Sequence, residues 1–340
     1  MDVIKKDLEE LKSRLKRAGV SFEDRTVLIT GGAGFLGSWL CDILTEQKAK
    51  VICIDNLLSG KLENIRHLLD KENFTFIEHD ISKSIYIDEK ADIIFHFASR
   101  ASPLEFDKFP IQILKANTLG TWITLGIAKK HRARYIFAST SEVYGNAEII
   151  PTPESYNGNV NLLGIRGCYD EAKRCGEAFV MAYHRQHGLD ARIVRIFNTY
   201  GPRMRAEGYY GRVVPRFVSQ ALSNKPLTVF GSGEQTRSFT YVTDEIEGIL
   251  KLAYYDNLNG EVFNIGNNEE TKIIDLANII IKLASSSSIV EFHPLPENDP
   301  MRRCPDISKA VTILKWKPTI ALNDGLKRII IWFRQKYFDF

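Results

Sequence analysis

Six short apolar runs punctuate the chain: Val27-Leu-Ile-Thr30, Val51-Ile-Cys-Ile-Asp55, Phe74-Thr-Phe-Ile77, Ile93-Ile-Phe-His-Phe97, Tyr135-Ile-Phe-Ala138 and Ile193-Val-Arg-Ile-Phe197. They are rich in β-branched and aromatic residues and nearly continuous, and the segments between them repeat apolar residues at helical spacing. Strands that hide both faces read this way, so the pattern predicts an α/β fold, a doubly wound parallel sheet with helices on either side. Ahead of the first run, Ile4, Leu8, Leu11 and Leu15 share one helical face, which makes residues 1–24 an amphipathic helix for packing or an interface.

Beyond Asn198 the rhythm loosens, with Gly201-Pro202, a glycine and tyrosine segment at 208–211 and a Pro-rich stretch from Pro294 to Pro305. The first domain is therefore expected over 25–198 and a smaller C-terminal α/β substrate domain over 199–235 and 263–340. Ser238-Phe-Thr-Tyr-Val242 and the helical pattern after Asp244 are regular again, so the chain is expected to return to the first domain over about 236–262.

Charge narrows the partners. The 45 basic and 42 acidic residues leave a net +3, too little for bulk attraction to nucleic acid or an anionic membrane, so an anionic ligand must be held locally. No run approaches the roughly 18 to 20 apolar residues of a membrane span, and the N-terminus lacks a secretory core, so the chain is expected to be cytoplasmic. Five scattered cysteines without a C-x-x-C pair argue against disulfides and zinc, and buried free thiols are the expectation. His184 and His187 have no third ligand at suitable spacing, and no metal is expected.

Thr30-Gly-Gly-Ala-Gly-Phe-Leu-Gly37 follows the first strand and opens a helix. Glycines at 31, 34 and 37 permit a tight turn and let backbone N–H groups approach a pyrophosphate at the positive end of a helix. Asp55 ends the second strand at the distance where a carboxylate accepts from adenosine ribose hydroxyls and repels a 2′-phosphate. The expected cofactor is NAD on a Rossmann-type sheet, bound by Gly31, Gly34, Phe35, Leu36, Gly37, Asp55 and Asn56, with Asp80 and Ile81 near the adenine.

Tyr169 and Lys173 stand at i and i+4 on one helical face. A phenol with a pKa of about 10 is a poor base at neutral pH, and a nearby cation is expected to bring it toward the working range. With the hydroxyls of Ser139, Thr140 and Ser141 at a strand end, the pair marks a short-chain dehydrogenase.

From about Arg25 onward the chain resembles the extended short-chain dehydrogenase/reductase family of nucleotide-sugar enzymes. The runs Ala101-Ser-Pro103, Thr140-Ser-Glu-Val-Tyr-Gly145, Cys168-Tyr-Asp-Glu-Ala-Lys-Arg174, Phe197-Asn-Thr-Tyr-Gly-Pro-Arg-Met204, Gly231-Ser-Gly-Glu-Gln-Thr-Arg237 and Asp299-Pro-Met-Arg-Arg-Cys-Pro-Asp306 carry the likeness to its UDP-glucuronate decarboxylase (UDP-xylose synthase) branch. The resemblance implies that Thr140 and Tyr169 hold and deprotonate the sugar 4-hydroxyl, and that Lys173 tunes Tyr169 and binds the nicotinamide ribose. It also implies that Glu142 and Arg303 act near C5 and the carboxylate. Ser141, Asn198, Arg212 and Arg237 would contact a UDP-sugar, while Arg302 is balanced between ligand and bystander. The apolar positions of 114–128, with Trp122 and Leu125, and Phe179, Met181 and Tyr183 are expected to form core and a helix-pair homodimer interface.

Two departures keep other sugars open. Arg100 and the pair Glu105-Phe106 stand where the branch has proline and a polar residue followed by tyrosine. A UDP-glucuronate 4-epimerase or a sugar 4,6-dehydratase therefore remains an alternative, although the residue at 141 is serine and not the acid of dTDP-glucose dehydratases. A non-catalytic NAD-sensing module is disfavoured because Tyr169 and Lys173 are both kept.

Overall fold

The computed structural model describes residues 2–205, 212–295 and 300–338; the segment at 208–211 and Asp299 lie outside them. Helix α1 (Val3–Arg17) is capped by the Asp2 carboxylate, which accepts from the Ile4 N–H at 3.0 Å. There follow β1 (Thr26–Thr30), α2 (Phe35–Glu46), β2 (Lys50–Asp55), β3 (Phe74–Glu78), β4 (Ile93–His96), α3 (Pro103–Phe106), α4 (Pro110–Asn117), α5 (Leu119–His131), β5 (Arg134–Thr140), α6 (Gly167–His187) and β6 (Ala191–Ile196). The remainder comprises β7 (Thr199–Tyr200), α7 (Val213–Leu222), β8 (Leu227–Phe230), β9 (Thr236–Ser238), β10 (Thr240–Tyr241), α8 (Val242–Tyr254), β11 (Val262–Ile265), β12 (Glu270–Lys272), α9 (Ile273–Ala284), β13 (Val290–His293), β14 (Arg302–Arg303), α10 (Ser308–Ile313) and α11 (Leu322–Tyr337).

The six apolar runs form six of the seven strands of one parallel sheet, whose order is β11-β6-β5-β4-β1-β2-β3. Alternate residues feed two cores: Leu28, Ile52, Ile94, Tyr135 and Phe137 on one face, and Val27, Ile29, Val51, Phe95 and Ile136 on the other. Burial of both faces explains the unbroken apolar runs, and the fold is the expected Rossmann-type α/β sheet. The order reverses between β1 and β4, so the connections leave in opposite directions and open a crevice at the carboxyl ends. The return passage continues beyond residue 262, because β11 pairs with β6 as the seventh strand and ends at Ile265.

Outside this sheet, β9 pairs in parallel with β14, which sets Arg303 directly beside Arg237. Helix α1 packs inward: Asp7 is fully buried and accepts from the Tyr241 hydroxyl and from Arg328, each at 2.5 Å. Arg14 pairs with Asp244 and Glu247 of α8, so α1 binds α8 and α11 together. All five cysteines are unpaired; Cys41, Cys53 and Cys304 are buried, whereas Cys175 is exposed on the solvent side of α6, against the expectation that the thiols are interior.

Leu11 is fully buried in this packing. Replacing it by Ala removes contacts that cannot fully collapse, and should lower the unfolding free energy by about 2–5 kcal/mol, read from the urea midpoint.

Candidate active site

Where β1 ends, the chain turns at Gly31 with φ of +72°, a left-handed conformation that suits glycine. A Cβ at Gly31 would lie 2.7 Å from the Ala98 backbone, and one at Gly37 would lie 2.1 Å from the Gly31 carbonyl. Helix α2 starts immediately afterwards with Gly34 as an N-cap that offers no side-chain acceptor. Its first N–H groups are thus left for an anion, at the positive end of the helix.

Asp55, almost buried at the end of β2, accepts the Ala33 N–H at 3.0 Å and the Leu57 N–H at 2.8 Å. Burial pushes its carboxyl up despite these bonds, so a further donor, such as a ribose hydroxyl, would be favourable there. Asn56 turns its amide oxygen to the Leu58 N–H at 3.1 Å. Asp80 lies low because hydrogen bonds from the Ser82 N–H and hydroxyl outweigh its burial, and Ile81 beside it is buried.

Gly31, Gly34, Phe35, Leu36 and Gly37 line one cleft with Asp55, Asn56, Asp80 and Ile81. The same cleft is lined further on by Thr140, Ser141, Glu142, Tyr169, Lys173, Asn198, Arg212, Arg237 and Arg303. Its volume of 1570 Å³ exceeds the roughly 300–1,000 Å³ of a pocket for one small ligand, leaving room for two ligands end to end. Arg302 stands outside the cleft lining, paired with Glu270, with Nε to Oε1 at 3.1 Å. Of the two adjacent arginines, Arg303 lines the cleft.

At the reacting end, the Thr140 side chain hydrogen-bonds to the Tyr169 phenol, and Lys173 donates to the Ala138 carbonyl at 2.6 Å. The expected lowering of Tyr169 by Lys173 is not found. Burial pushes the phenol up to about 12; the cation that opposes this is Arg212, and the Lys173 ammonium lies 6.0 Å from the ring. Desolvation likewise brings Lys173 down to about 7. Phe106 stacks on Tyr169 with ring centroids 5.1 Å apart and planes 17° from parallel, which fixes the phenol from the cleft side of α3.

Glu142 accepts from two guanidiniums, Arg166 and Arg303, which hold its carboxyl below the usual range even though burial pulls upward. Arg237 donates to the Thr236 carbonyl at 2.8 Å and adds positive field at Glu142. Arg212 reaches the Ala101 carbonyl at 3.4 Å. Arg166 was not singled out from the sequence; the signal available was its place one turn ahead of Tyr169. The two departures neutralise one another, since Arg100 donates to Glu105 at 2.8 Å and lies 4.3 Å over the Phe109 ring. Arg205 stands 3.7 Å from the same carboxylate, so Glu105 does not present a bare negative charge to the cleft.

Among the described residues no group of three or more His, Cys, Asp or Glu side chains is placed to hold a metal ion, and no helix is long and apolar enough to cross a membrane. A reversing parallel sheet with a glycine turn at the crevice and a buried Tyr-x-x-x-Lys pair defines a short-chain dehydrogenase/reductase. Residues 27–266 match the NAD dependent epimerase/dehydratase family, and the chain belongs to that family.

Relatives sharpen the comparison. The chain is 44% identical over 312 residues to UDP-glucuronic acid decarboxylase 4 of Arabidopsis thaliana, covering 92% of this chain and 69% of that one. It is 45% identical over 318 residues to UDP-glucuronic acid decarboxylase 1 of Xenopus tropicalis, covering 93% and 74%. The structure of UDP-glucuronic acid 4-epimerase from Bacillus cereus, in complex with UDP-glucuronic acid and NAD, is similar with a TM-score of 0.82 and 32% identity. That likeness covers 92% of this chain and all of the epimerase.

The buried Lys173 yields a test. Its folded pKa of about 7 lies below that of the unfolded chain, so the unfolded state binds more protons between about pH 7 and 10 and stability rises with pH in that window. Lys173→Met should raise the melting temperature at pH 6.5 by on the order of 5 °C, with the gain shrinking toward pH 10. Calorimetry at both values checks it.

Proposed function

We propose that the chain converts UDP-glucuronate into UDP-xylose and carbon dioxide, with NAD as a recycled cofactor. The observation that carries this reading is the Glu142–Arg166–Arg303 cluster beside Tyr169, in a chain 44–45% identical to relatives named UDP-glucuronic acid decarboxylases.

NAD suits the residues present: the glycine turn has no room for side chains, the start of α2 offers free N–H groups, and Asp55 supports a ribose. When bound, NAD supplies reversible oxidation of the sugar C4 carbon. Gly31, Gly34, Phe35, Leu36 and Gly37 would take its phosphates, Asp55 and Asn56 its adenosine ribose, and Asp80 and Ile81 its adenine. Lys173, with N–H groups beyond the one given to Ala138, would hold the nicotinamide ribose.

Thr140 positions the 4-hydroxyl and Tyr169 removes its proton. A ketone at C4 makes the C6 carboxylate a β-keto acid, which loses carbon dioxide and leaves the electron pair as an enolate at C4 and C5. Donors at Thr140 and Tyr169 stabilise that oxyanion. Arg303 draws the sugar carboxylate toward C5. Once Arg303 engages the substrate, Glu142 keeps Arg166 and the field of Arg237, becomes more basic, takes up a proton from solvent and can pass it to C5. Ser141 and Asn198 face the sugar, and Arg212 and Arg237 suit the diphosphate.

We read the enzyme as a cytoplasmic homodimer. Unpaired thiols suit a reducing compartment, and α5 exposes Trp122 next to the exposed Tyr86, an apolar face that a second copy would cover.

Holoenzyme given UDP-glucuronate labelled at the carboxyl carbon should release the label as carbon dioxide. Label retained in a C4-inverted sugar acid would overturn the reading in favour of an epimerase. Tyr169→Phe should keep NAD and UDP binding while turnover falls about a hundredfold or more; turnover within a few-fold of wild type removes Tyr169 from the chemistry. Wild-type enzyme should bind NAD in preference to NADP by calorimetry, and Asp55→Ala should narrow that gap.

A further inference from the structure

Glu177 stands four residues after Lys173 on the same face of α6, and it is not among the residues that line the cleft. Its side chain is 13% exposed. Oε1 accepts from the Ser139 hydroxyl at 2.5 Å and from Nε of Arg195 at 2.9 Å, and Oε2 accepts from Nη2 of Arg195 at 2.7 Å. Ser139 and Arg195 are register partners on β5 and β6, so the sheet itself sets both donors. Arg195 is fixed in turn, since its Nη1 donates to the Tyr144 hydroxyl oxygen and to the Glu154 carbonyl, each at 2.9 Å. A carboxylate anchored in this way stays behind the cleft, yet its charge reaches Lys173. Desolvation brings that ammonium down to about 7, and Glu177 is the charge that opposes it.

Near neutral pH the Lys173 and Tyr169 pair has one proton to lose and two ways of losing it. A neutral amine beside a phenol and an ammonium beside a phenolate hold the same number of protons, so pH does not change their ratio. Only the second form carries the base that the sugar 4-hydroxyl requires. With Lys173 at about 7 and Tyr169 at about 12, the first form dominates. A lysine that has already lost its proton cannot lower the phenol, which accounts for the missing effect of Lys173 on Tyr169. We propose that Glu177 is a positioning residue acting through Lys173: anchored by Ser139 and Arg195, its carboxylate keeps the shared proton on the amine and leaves the phenolate as the base. This rests on the proposed reaction, in which Tyr169 takes the proton of the 4-hydroxyl.

Other charges face the pair. The turn after β5 brings Glu142, the segment before α7 brings Arg212 and α6 itself brings Asp170, and all three act on Tyr169. Burial and then the charge of Glu142 push Asp170 up to about 7, so it titrates in the same range. His96 on β4 is held down to about 3 by burial and by the charge of Lys173, and stays neutral. Lys115 of α4 lines the cleft, and the titratable groups of α5, Lys129, Lys130 and His131, lie in its last turn, which leads into the start of β5. These groups are common to wild type and a Glu177 variant, so comparing the two isolates Glu177.

The sign follows from the two routes. At low pH the phenolate form is reached by proton loss from Tyr169, and the amine's own affinity for protons does not enter; at high pH that affinity sets the share of ammonium with phenolate. With saturating NAD, kcat/KM of wild-type holoenzyme for carbon dioxide release from UDP-glucuronate should climb about tenfold per unit toward pH 7 and then level. Glu177→Gln should match wild type within about twofold at pH 5.5 and be about three- to tenfold slower at pH 8.5, its break moved down by the corresponding half to one unit. Glu177→Asp keeps the charge and should keep the wild-type break, whatever uniform loss its shorter reach causes. Because Gln leaves the Arg195 cation under-compensated, Glu177→Gln with Arg195→Met removes both charges, and its break should move the same way.

Wild-type holoenzyme that releases no carbon dioxide would overturn the proposed reaction and this proposal with it. Carbon dioxide release with an equal loss in Glu177→Gln at both pH values, a Glu177→Asp break displaced as far as that of Gln, or a wild-type break in the double variant would overturn the role of Glu177 alone.

Discussion

One largely buried carboxylate, Glu142, with its side chain 14% exposed, is held between two guanidiniums from distant parts of the chain, Arg166 ahead of α6 and Arg303 on β14. Removing one partner from such a cluster leaves an uncompensated charge away from water, typically a loss of about 3–5 kcal/mol, so the segments carrying the partners are bound to one another. The turn after β5, the start of α6 and the β9–β14 pair are fixed in this way, and Arg237 comes with Arg303 through strand register. The cleft is built where the parallel sheet meets the later segments, and this cluster closes their junction.

The same dryness governs the reacting groups. Burial raises Tyr169 to about 12 and lowers Lys173 to about 7, so the protein surroundings alone disfavour the charged form of both groups. A site of this kind is poised for ligand charge to complete it, because interactions in a water-poor cleft are strong and the donors are already oriented. Phe106 on Tyr169 and the Thr140 hydrogen bond provide that orientation. The Arg100–Glu105 pair keeps an added carboxylate from spoiling the balance.

What the sequence made legible follows the range of the interactions. Five of the six strands read from the sequence are largely buried on both faces and so nearly continuous in apolar residues, and the edge strand β3 keeps three apolar residues of its five; β11 was not legible, because Asn264 interrupts a run of only four. That side chain is fully buried, accepting from the Tyr144 hydroxyl and donating to the Thr152 and Asp306 carbonyls, partners no local pattern reveals. The glycine turn, Asp55 and the Tyr169–Lys173 spacing were legible because local geometry dictates them. Arg166 was not legible as a residue of the cleft, since its meaning comes from Glu142, which only folding brings near. Glu105 looked like an intrusion because its neutralising partner Arg100 lies five residues away, off any helical spacing.

The account's central claim is that this charge cluster directs chemistry at C5 after oxidation at C4. It is tested most directly by running the holoenzyme on UDP-glucuronate in deuterium oxide and examining the sugar by NMR. The account predicts UDP-xylose carrying one deuterium at C5 and protium at C4, since C5 takes its new proton from solvent while the C4 hydrogen returns internally. A product that keeps its carboxylate and carries no deuterium at C5 would contradict it.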